Sequence, residues 1–465
     1  MLDYDLSKRG EKTLYEYLYQ RIRDDITQGV LGADDRLPSK RSLALHLGVS
    51  AITVEAAYAQ LVAEGYVTSR PRSGFYVNAL PAMTACAQRL EPSREEPGAA
   101  PEDAATPAPA VAAFWSRELR AALAQESKAE LFSPTPAQGS SRLRAAIAGH
   151  LRQTRGMAVD PGCIVVGAGA QTLDNAIVQL LGREKAYAVE DPGYIRLTHL
   201  YQANGVEVRH VAMDGQGVLV DDLLACGADV LHLMPSHQFP TGRVTSIARR
   251  YELLGWASAG ARGDGRWLIE DDYDCEFRLA GRPVPSLASI DASGRVIYTN
   301  TFTKSLGGAL RLAYMVLPQQ LMERYREGLS FYSPTVGSVE QVTLARVLES
   351  GAYERYVARI RKRSREERDA LLAALGSCGV ATRLKVEEED SGLHFILAAE
   401  STRTEDEIAR AAAEQGVRLC PLSGFAWEEK NRERPDGLRR FVVQYEGRSA
   451  ADVSVLVEAV EKAVG

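Results

Sequence analysis

The sequence predicts an α/β protein in two parts, a small helix-turn-helix unit with a β-wing and a much larger α/β domain. Three observations carry this. Within the first 80 residues, two short helices meet at a Gly-Val-Ser joint and lead into an alternating strand pair. Farther on, apolar β-branched runs repeatedly end in Gly-rich or acidic turns followed by helical periodicity, the pattern of strand–helix units. Between the two regions, residues 81 to about 111 are rich in Pro, Ala and Glu and lack apolar periodicity. Such a composition cannot bury enough surface to offset its ordering entropy, and it predicts a linker. The expected domains are therefore 1–79, a linker over 80–111, and 112–465.

In the first part, Leu14, Leu18, Ile22 and Ile26 recur at helical spacing, and Gly29 ends that helix. Ser39 is placed to cap a short helix that stops at Gly48, and Ser50 to cap the next, which stops at Gly65. The stretch YVTSRPRSGFYV then alternates and turns at Ser73-Gly74, predicting a wing with basic residues at its tip. Acidic residues of this part sit mainly on the first helix and at Asp34-Asp35, whereas the stretch from Arg36 to Arg72 is basic.

The bulk numbers set bounds. A chain of 465 residues exceeds one ordinary domain. Its 45% apolar and 25% charged shares are those of a globular protein. A net charge of -6 means that any nucleic-acid binding belongs to one small module. No run approaches the roughly 20 apolar residues of a membrane span, and the polar start MLDYDLSKRGEK lacks the apolar core of a signal peptide. Six cysteines lie far apart with no CxxC pair, so they read as reduced, mostly buried thiols of a cytoplasmic protein with no metal site.

The large domain carries a constellation of chemistry. In VIYTNTFTKSLGGALR a strand leads to Thr301, Thr303 and Lys304, with Arg311 seven residues beyond. Hydroxyls and a guanidinium suit a phosphate, and a desolvated lysine beside them can form an imine with an aldehyde. Pyridoxal 5'-phosphate (PLP) needs both. Upstream, RWLIEDDYDCEFR ends a strand in paired carboxylates and a tyrosine. Asp271 suits the protonated pyridine nitrogen, with Asp272 its rival, and Tyr273 suits the ring hydroxyl. In CIVVGAGAQTLDNAIVQLL, a strand, a Gly-rich turn and a helix aim the amides of Gly169, Ala170 and Gln171 at an anion. In AYAVEDPGYIRL, Tyr194 can stack on a ring and Arg196 can face a carboxylate.

Taken in order, the phrases LPS, GVS, EGYV and RSGFYV resemble the winged helix-turn-helix of GntR-family bacterial regulators over residues 11 to 79. The phrases SHQFPTG, IEDDYDCEFR and TFTKSLGGALR resemble a fold-type I aminotransferase, a PLP-dependent transferase fold with a large mixed-sheet domain and a small C-terminal one, here about 345–465. The fusion resembles the MocR/GabR type of regulator. That resemblance implies that Ser39, Lys40 and Arg41 hold phosphate or enter the groove, that Ser50 and Thr53 start the recognition helix, and that Arg70, Arg72 and Gly74 form the wing. It implies Lys304 as the Schiff-base lysine, Asp271, Tyr273 and Tyr194 around the ring, and Ala170, Gln171, Thr301, Thr303 and Arg311 on the phosphate. Arg196 and Arg440 would grip an effector carboxylate, with Arg439 and Arg418 as alternatives to Arg440. The implied protein is a homodimer with head-to-tail swapped modules that binds double-stranded operator DNA and answers to an amino-acid-like effector or to PLP itself. The alternative is a working aminotransferase with a fused regulatory module.

Three departures stand out. Ala51 and Ile52 follow the capping Ser50 where the family often has an arginine. Phe239 stands before Pro-Thr-Gly where aminotransferases commonly have an asparagine, with His237 or Gln238 as possible substitutes. Around Trp115 only AVAAFWSRELR remains of a segment that usually opens with Gly-Pro-Asp.

Overall fold

The apolar stripe from Leu14 folds into α1 (Leu14–Thr27), opened by a Thr13–Glu16 capping box. Helices α2 (Lys40–Leu47) and α3 (Ala51–Ala63) follow, each started by a serine whose side chain accepts a backbone N–H three residues on. Strands β1 (Val67–Arg70) and β2 (Gly74–Val77) pair antiparallel as the wing, and a bridge from Arg36 to Tyr76 extends it. Leu18, Ile22, Leu43, Val54, Tyr58, Leu61 and Val67 make the core of this unit. The computed structural model describes residues 2–10, 12–79, 109–259, 265–279, 284–431, 436–445 and 450–464. The chain divides into two units, Met1–Ala100 and Pro101–Gly465. Most of the expected linker lies outside the described residues, and its last three residues belong to helix α4 (Pro109–Gln125).

The larger unit continues with α5 (Lys128–Phe132), α6 (Ser141–Arg155), β3 (Ile164–Gly167), α7 (Ala170–Leu181), β4 (Ala186–Asp191), α8 (Ile195–Ala203), β5 (Glu207–Asp214), β6 (Gly217–Val218), β7 (Val230–Leu233), β8 (Trp267–Asp271), β9 (Val296–Thr301) and β10 (Ala313–Val316). These strands form one mixed sheet in the order β3-β10-β9-β8-β7-β4-β5-β6. Strands β9, β8, β7, β4 and β5 run parallel, and β10 is antiparallel to both its neighbours. Strands β4 and β7 are fully buried runs, as parallel strands covered on both faces must be. From β4 the chain proceeds outward to β5, then returns to β7 on the other side. The carboxyl ends of β4 and β7 therefore flank a switch point, where open α/β sheets bind ligands.

The C-terminal part holds β11 (Leu384–Glu387), β12 (His394–Ala399), β13 (Cys420–Pro421) and β14 (Arg439–Gln444), an antiparallel sheet in the order β11-β12-β14-β13. Its own core begins later than residue 345. Leu344, Val347, Leu348, Tyr353 and Tyr356 pack with α4 and α6 residues of the large domain, whereas Leu371, Leu372 and Leu375 join Phe395, Phe441 and Leu456. The division thus falls inside the long helix Ala352–Ser377. The cysteines also differ from expectation: of the five described, all unpaired, only Cys163 is buried. No described helix is long and apolar enough to cross a membrane, and the described residues contain no metal-binding cluster.

Candidate ligand site and nucleic-acid interface

Strand β9 ends at Thr301, and the chain turns at once into the short helix Thr303–Leu306 that carries Lys304. The hydroxyls of Thr301 and Thr303 lie 2.7 Å apart. Helix α7 opens on Gly169, whose φ of 91° suits glycine, and no side chain caps its first turn. Its Ala170 and Gln171 amides are therefore available to an anion. Arg311 comes back to this point. A Cβ added to Gly169 would stand 2.1 Å from the Arg311 guanidinium, so glycine is required for that approach. Arg311 itself holds a left-handed backbone (φ 48°), a conformation that costs about 1 kcal/mol or more and persists where its surroundings impose it. Residues separated by up to 142 positions in sequence thus converge on one anion-binding corner.

The acidic pair after β8 separates cleanly. Asp272 is buried, with its carboxylate 2.8 Å from the Arg155 guanidinium and accepting the Tyr298 hydroxyl at 2.7 Å. Asp271 is half-buried, and its nearest charged partner is His232 Nε2 at 3.9 Å, an ion-pair distance beyond a hydrogen bond. His232 lies on β7, where it pairs in register with Ile269, two residues before Asp271 on the same sheet face. Its Nδ1 meets the Tyr201 hydroxyl at 2.6 Å. Burial alone would lower the imidazole pKa, but Asp271, Asp174 and Glu190 outweigh it and raise it. Burial pushes the carboxyls of Asp174 and Glu190 up to about 7. Sequence reasoning missed His232. Its signal was a histidine inside the apolar run VLHL, which acquires meaning only once β7 is set beside β8.

Around this core, the Tyr273 hydroxyl is buried with no well-formed hydrogen bond, its pKa raised by burial and by Asp274 and Asp271. Tyr194 meets Phe239 edge to face at 5.8 Å, and Arg196 reaches over the Tyr194 ring at 6.0 Å. Phe239 also packs on His394 and Phe425, so it serves as an aromatic wall. Neither expected substitute for the missing asparagine is open. The Gln238 amide donates to Pro192 O (2.9 Å) and accepts from Thr241, while His237 pairs with Asp274 at 2.9 Å. Burial lowers the pKa of His394 to about 4, with Lys304 among the lesser charges acting the same way.

Arg440 is held by two carboxylates. Its guanidinium takes Glu387 through Nε (2.8 Å) and Nη2 (3.1 Å), and Asp436 through Nη1 (3.0 Å) and Nη2 (2.6 Å). Four of its five N–H donors are engaged, so an effector carboxylate at this position would have to replace Glu387 or Asp436. It also pairs with Ala398, four residues along β12 from His394, or about 13 Å at strand rise. Arg439 donates to Arg403 O at 2.9 Å.

In the small unit, Ser39 and Ser50 accept the amides of Ser42 and Thr53, both at 3.1 Å, so each serves as a helix cap as well as a candidate DNA contact. Lys40 pairs with Glu55 at 2.5 Å and Arg70 with Asp34 at 2.6 Å. Arg41 and Arg72 are exposed, and no ion pair among the described residues involves either. Arg72 turns the wing tip with φ 60°, and Gly74 lets the Arg36 guanidinium approach, 3.3 Å from where its Cβ would stand. Arg36, the first cation of the basic stretch, thus stands beside the wing turn. Substituting both Arg41 and Arg72 by Ala is expected to weaken DNA binding on every duplex alike and to flatten log K against log[salt] by about 2. An unchanged slope would remove these two residues from the phosphate contacts.

A winged helix-turn-helix joined to a domain with the aminotransferase fold defines the class of this protein, a transcription regulator. The family described as "Bacterial regulatory proteins, gntR family" matches residues 14–77. The chain is 36% identical to the HTH-type transcriptional regulator YhdI of Bacillus subtilis, covering 90% of each chain. It is 34% identical to the probable rhizopine catabolism regulatory protein MocR of Rhizobium meliloti, covering 90% of this chain and 88% of that one. An archaeal alanine:glyoxylate aminotransferase superimposes with a TM-score of 0.65 at 21% identity, over 76% of this chain and 86% of that one. The chain belongs to the GntR family of regulators, in its MocR type.

Proposed function

We propose that this regulator holds PLP on Lys304 and uses that site to sense an amino-acid-like effector, which changes its grip on operator DNA. The observation that carries the reading is the Arg311 guanidinium lying against Gly169 at the uncapped start of α7, with Lys304 one residue beyond the Thr301–Thr303 hydroxyl pair. A phosphate fits that corner. The buried, poorly bonded Tyr273 phenol fits the ring oxygen of the same ligand, and the engagement of Asp272 by Arg155 favours Asp271 as the partner of its nitrogen.

When bound, PLP supplies an aldehyde that condenses with amines and a ring that withdraws electrons. The chain does the rest. Ala170, Gln171, Thr301, Thr303 and Arg311 would anchor the phosphate, and Tyr194 would cover the ring face. Asp271, with the His232 imidazole 3.9 Å away, would keep a proton on the ring nitrogen. Arg196, beside Tyr194, receives the effector carboxylate. An effector shifts the protein only by binding its two states unequally. A head-to-tail homodimer with swapped N-terminal modules would present two winged helices to paired half-sites.

The test is a visible absorption spectrum of the full-length protein with PLP, followed by borohydride reduction and peptide mapping. A visible band whose reduced adduct maps to Lys304 is expected. An adduct elsewhere overturns the lysine assignment, and the absence of any band overturns the cofactor reading.

A further inference from the structure

We infer that Ile52 reads the C5-methyl group of thymine in the major groove, so that the half-sites of this regulator are specified by an apolar contact. The inference rests on the reading that the N-terminal unit binds duplex DNA. In a helix-turn-helix the residues at the start of the second helix meet the base edges. Here that helix, α3, carries no Lys or Arg along its whole length. Its one carboxylate, Glu55, is paired with Lys40. The Ser50 and Thr53 hydroxyls lie 2.8 Å apart, and Ser50 caps the helix by accepting the Thr53 amide. Val54, Ala57, Tyr58 and Leu61 point into the core. What remains outward in the first turn is Ala51 and Ile52, and Ile52 is 77% exposed.

A single exposed isoleucine is ordinary on a protein surface. This one stands where base recognition takes place, on a helix without any charged donor of its own for a guanine. It is flanked in sequence by a basic set. Residues 36–72 hold five cations (Arg36, Lys40, Arg41, Arg70, Arg72) against two carboxylates (Glu55, Glu64). Phosphate contacts from these cations fix register without choosing sequence. Of the base edges lining the major groove, only thymine presents a methyl group. Ile52 placed against adenine or guanine would dry a polar edge and return little, and cytosine offers only a C5 hydrogen where thymine offers a methyl, so the contact favours thymine.

The experiment selects binding sites for the full-length protein from a randomised duplex pool, then measures affinity by fluorescence anisotropy at fixed salt. Each thymine of the selected site is replaced in turn by deoxyuridine, which removes the methyl alone. At one or more thymines of each half-site, wild type should lose about 3- to 10-fold in affinity. Ile52→Ala should be indifferent to the same replacement while binding a random duplex as wild type does; its side chain is exposed, so the fold is retained. If wild type tolerates deoxyuridine everywhere, or Ile52→Ala keeps the same sensitivity, the role of Ile52 is overturned and DNA binding stands. If the protein enriches no sequence and shows no salt-dependent binding to any duplex, the DNA-binding reading fails and this inference with it.

Discussion

Replacing Arg155 with alanine is expected to destabilise the large unit by about 3–5 kcal/mol in denaturant unfolding. Arg155 closes α6, and its side chain is only 6% exposed. It donates to Asp272 at 2.8 Å and to Ser236 at 3.1 Å. The Asp272 carboxylate has no exposure at all. Attraction between the two charges offsets the cost of taking both from water, and removing one leaves the other buried and uncompensated. Neutralising the survivor, in Arg155→Ala with Asp272→Asn, should restore most of the loss, which a double-mutant cycle reads directly. A loss under about 1 kcal/mol for the single variant would mean that water reaches Asp272 and that the pair does not hold the end of β8.

Arg311→Ala should weaken PLP binding about 30- to 300-fold in a titration of the visible band. Two charge-assisted hydrogen bonds to a phosphate, each contributing about 1.5–3 kcal/mol and not fully additive, set that range. Arg311→Lys should recover only part, because an ammonium restores the charge without the planar fork. Gly169→Ala should approach the alanine variant, since the new Cβ would occupy the space of the guanidinium and would sit on a backbone that L-residues rarely adopt. A change below about 3-fold for Arg311→Ala would move the phosphate away from the α7 corner.

Much of this architecture is legible from local pattern. The stripe Leu14–Ile26, the capping serines, the wing turn and the strand–glycine–helix of residues 164–181 rest on interactions a few residues long. What stayed open depends on partners far away in sequence. The choice between Asp271 and Asp272 turns on Arg155, more than a hundred residues earlier. The engagement of Arg440 turns on Glu387, and His232 gains its partner only through the pairing of β7 with β8. Periodicity reports which face a residue takes, but not which strand lies beside it. Which core each part of the long helix Ala352–Ser377 joins is hidden for the same reason, because an amphipathic pattern does not say what its apolar face packs on.

One carboxylate deserves to be seen as a clasp. Asp191, at the end of β4 and three residues before Tyr194, accepts the amides of Trp427 (2.8 Å) and Glu428 (3.0 Å) and the side-chain amide of Asn431 (2.8 Å). Two residues on, the Gly193 amide donates to Phe425 O, and the Trp427 ring stacks flat on His210. The tyrosine proposed to cover the ligand is thereby geared to a loop of the C-terminal part. The segment that carries Tyr194 and the loop over residues 425–431 are thus tied by four hydrogen bonds. A ligand lying under Tyr194, as proposed above, would sit one hydrogen-bonded step from the C-terminal part of the chain.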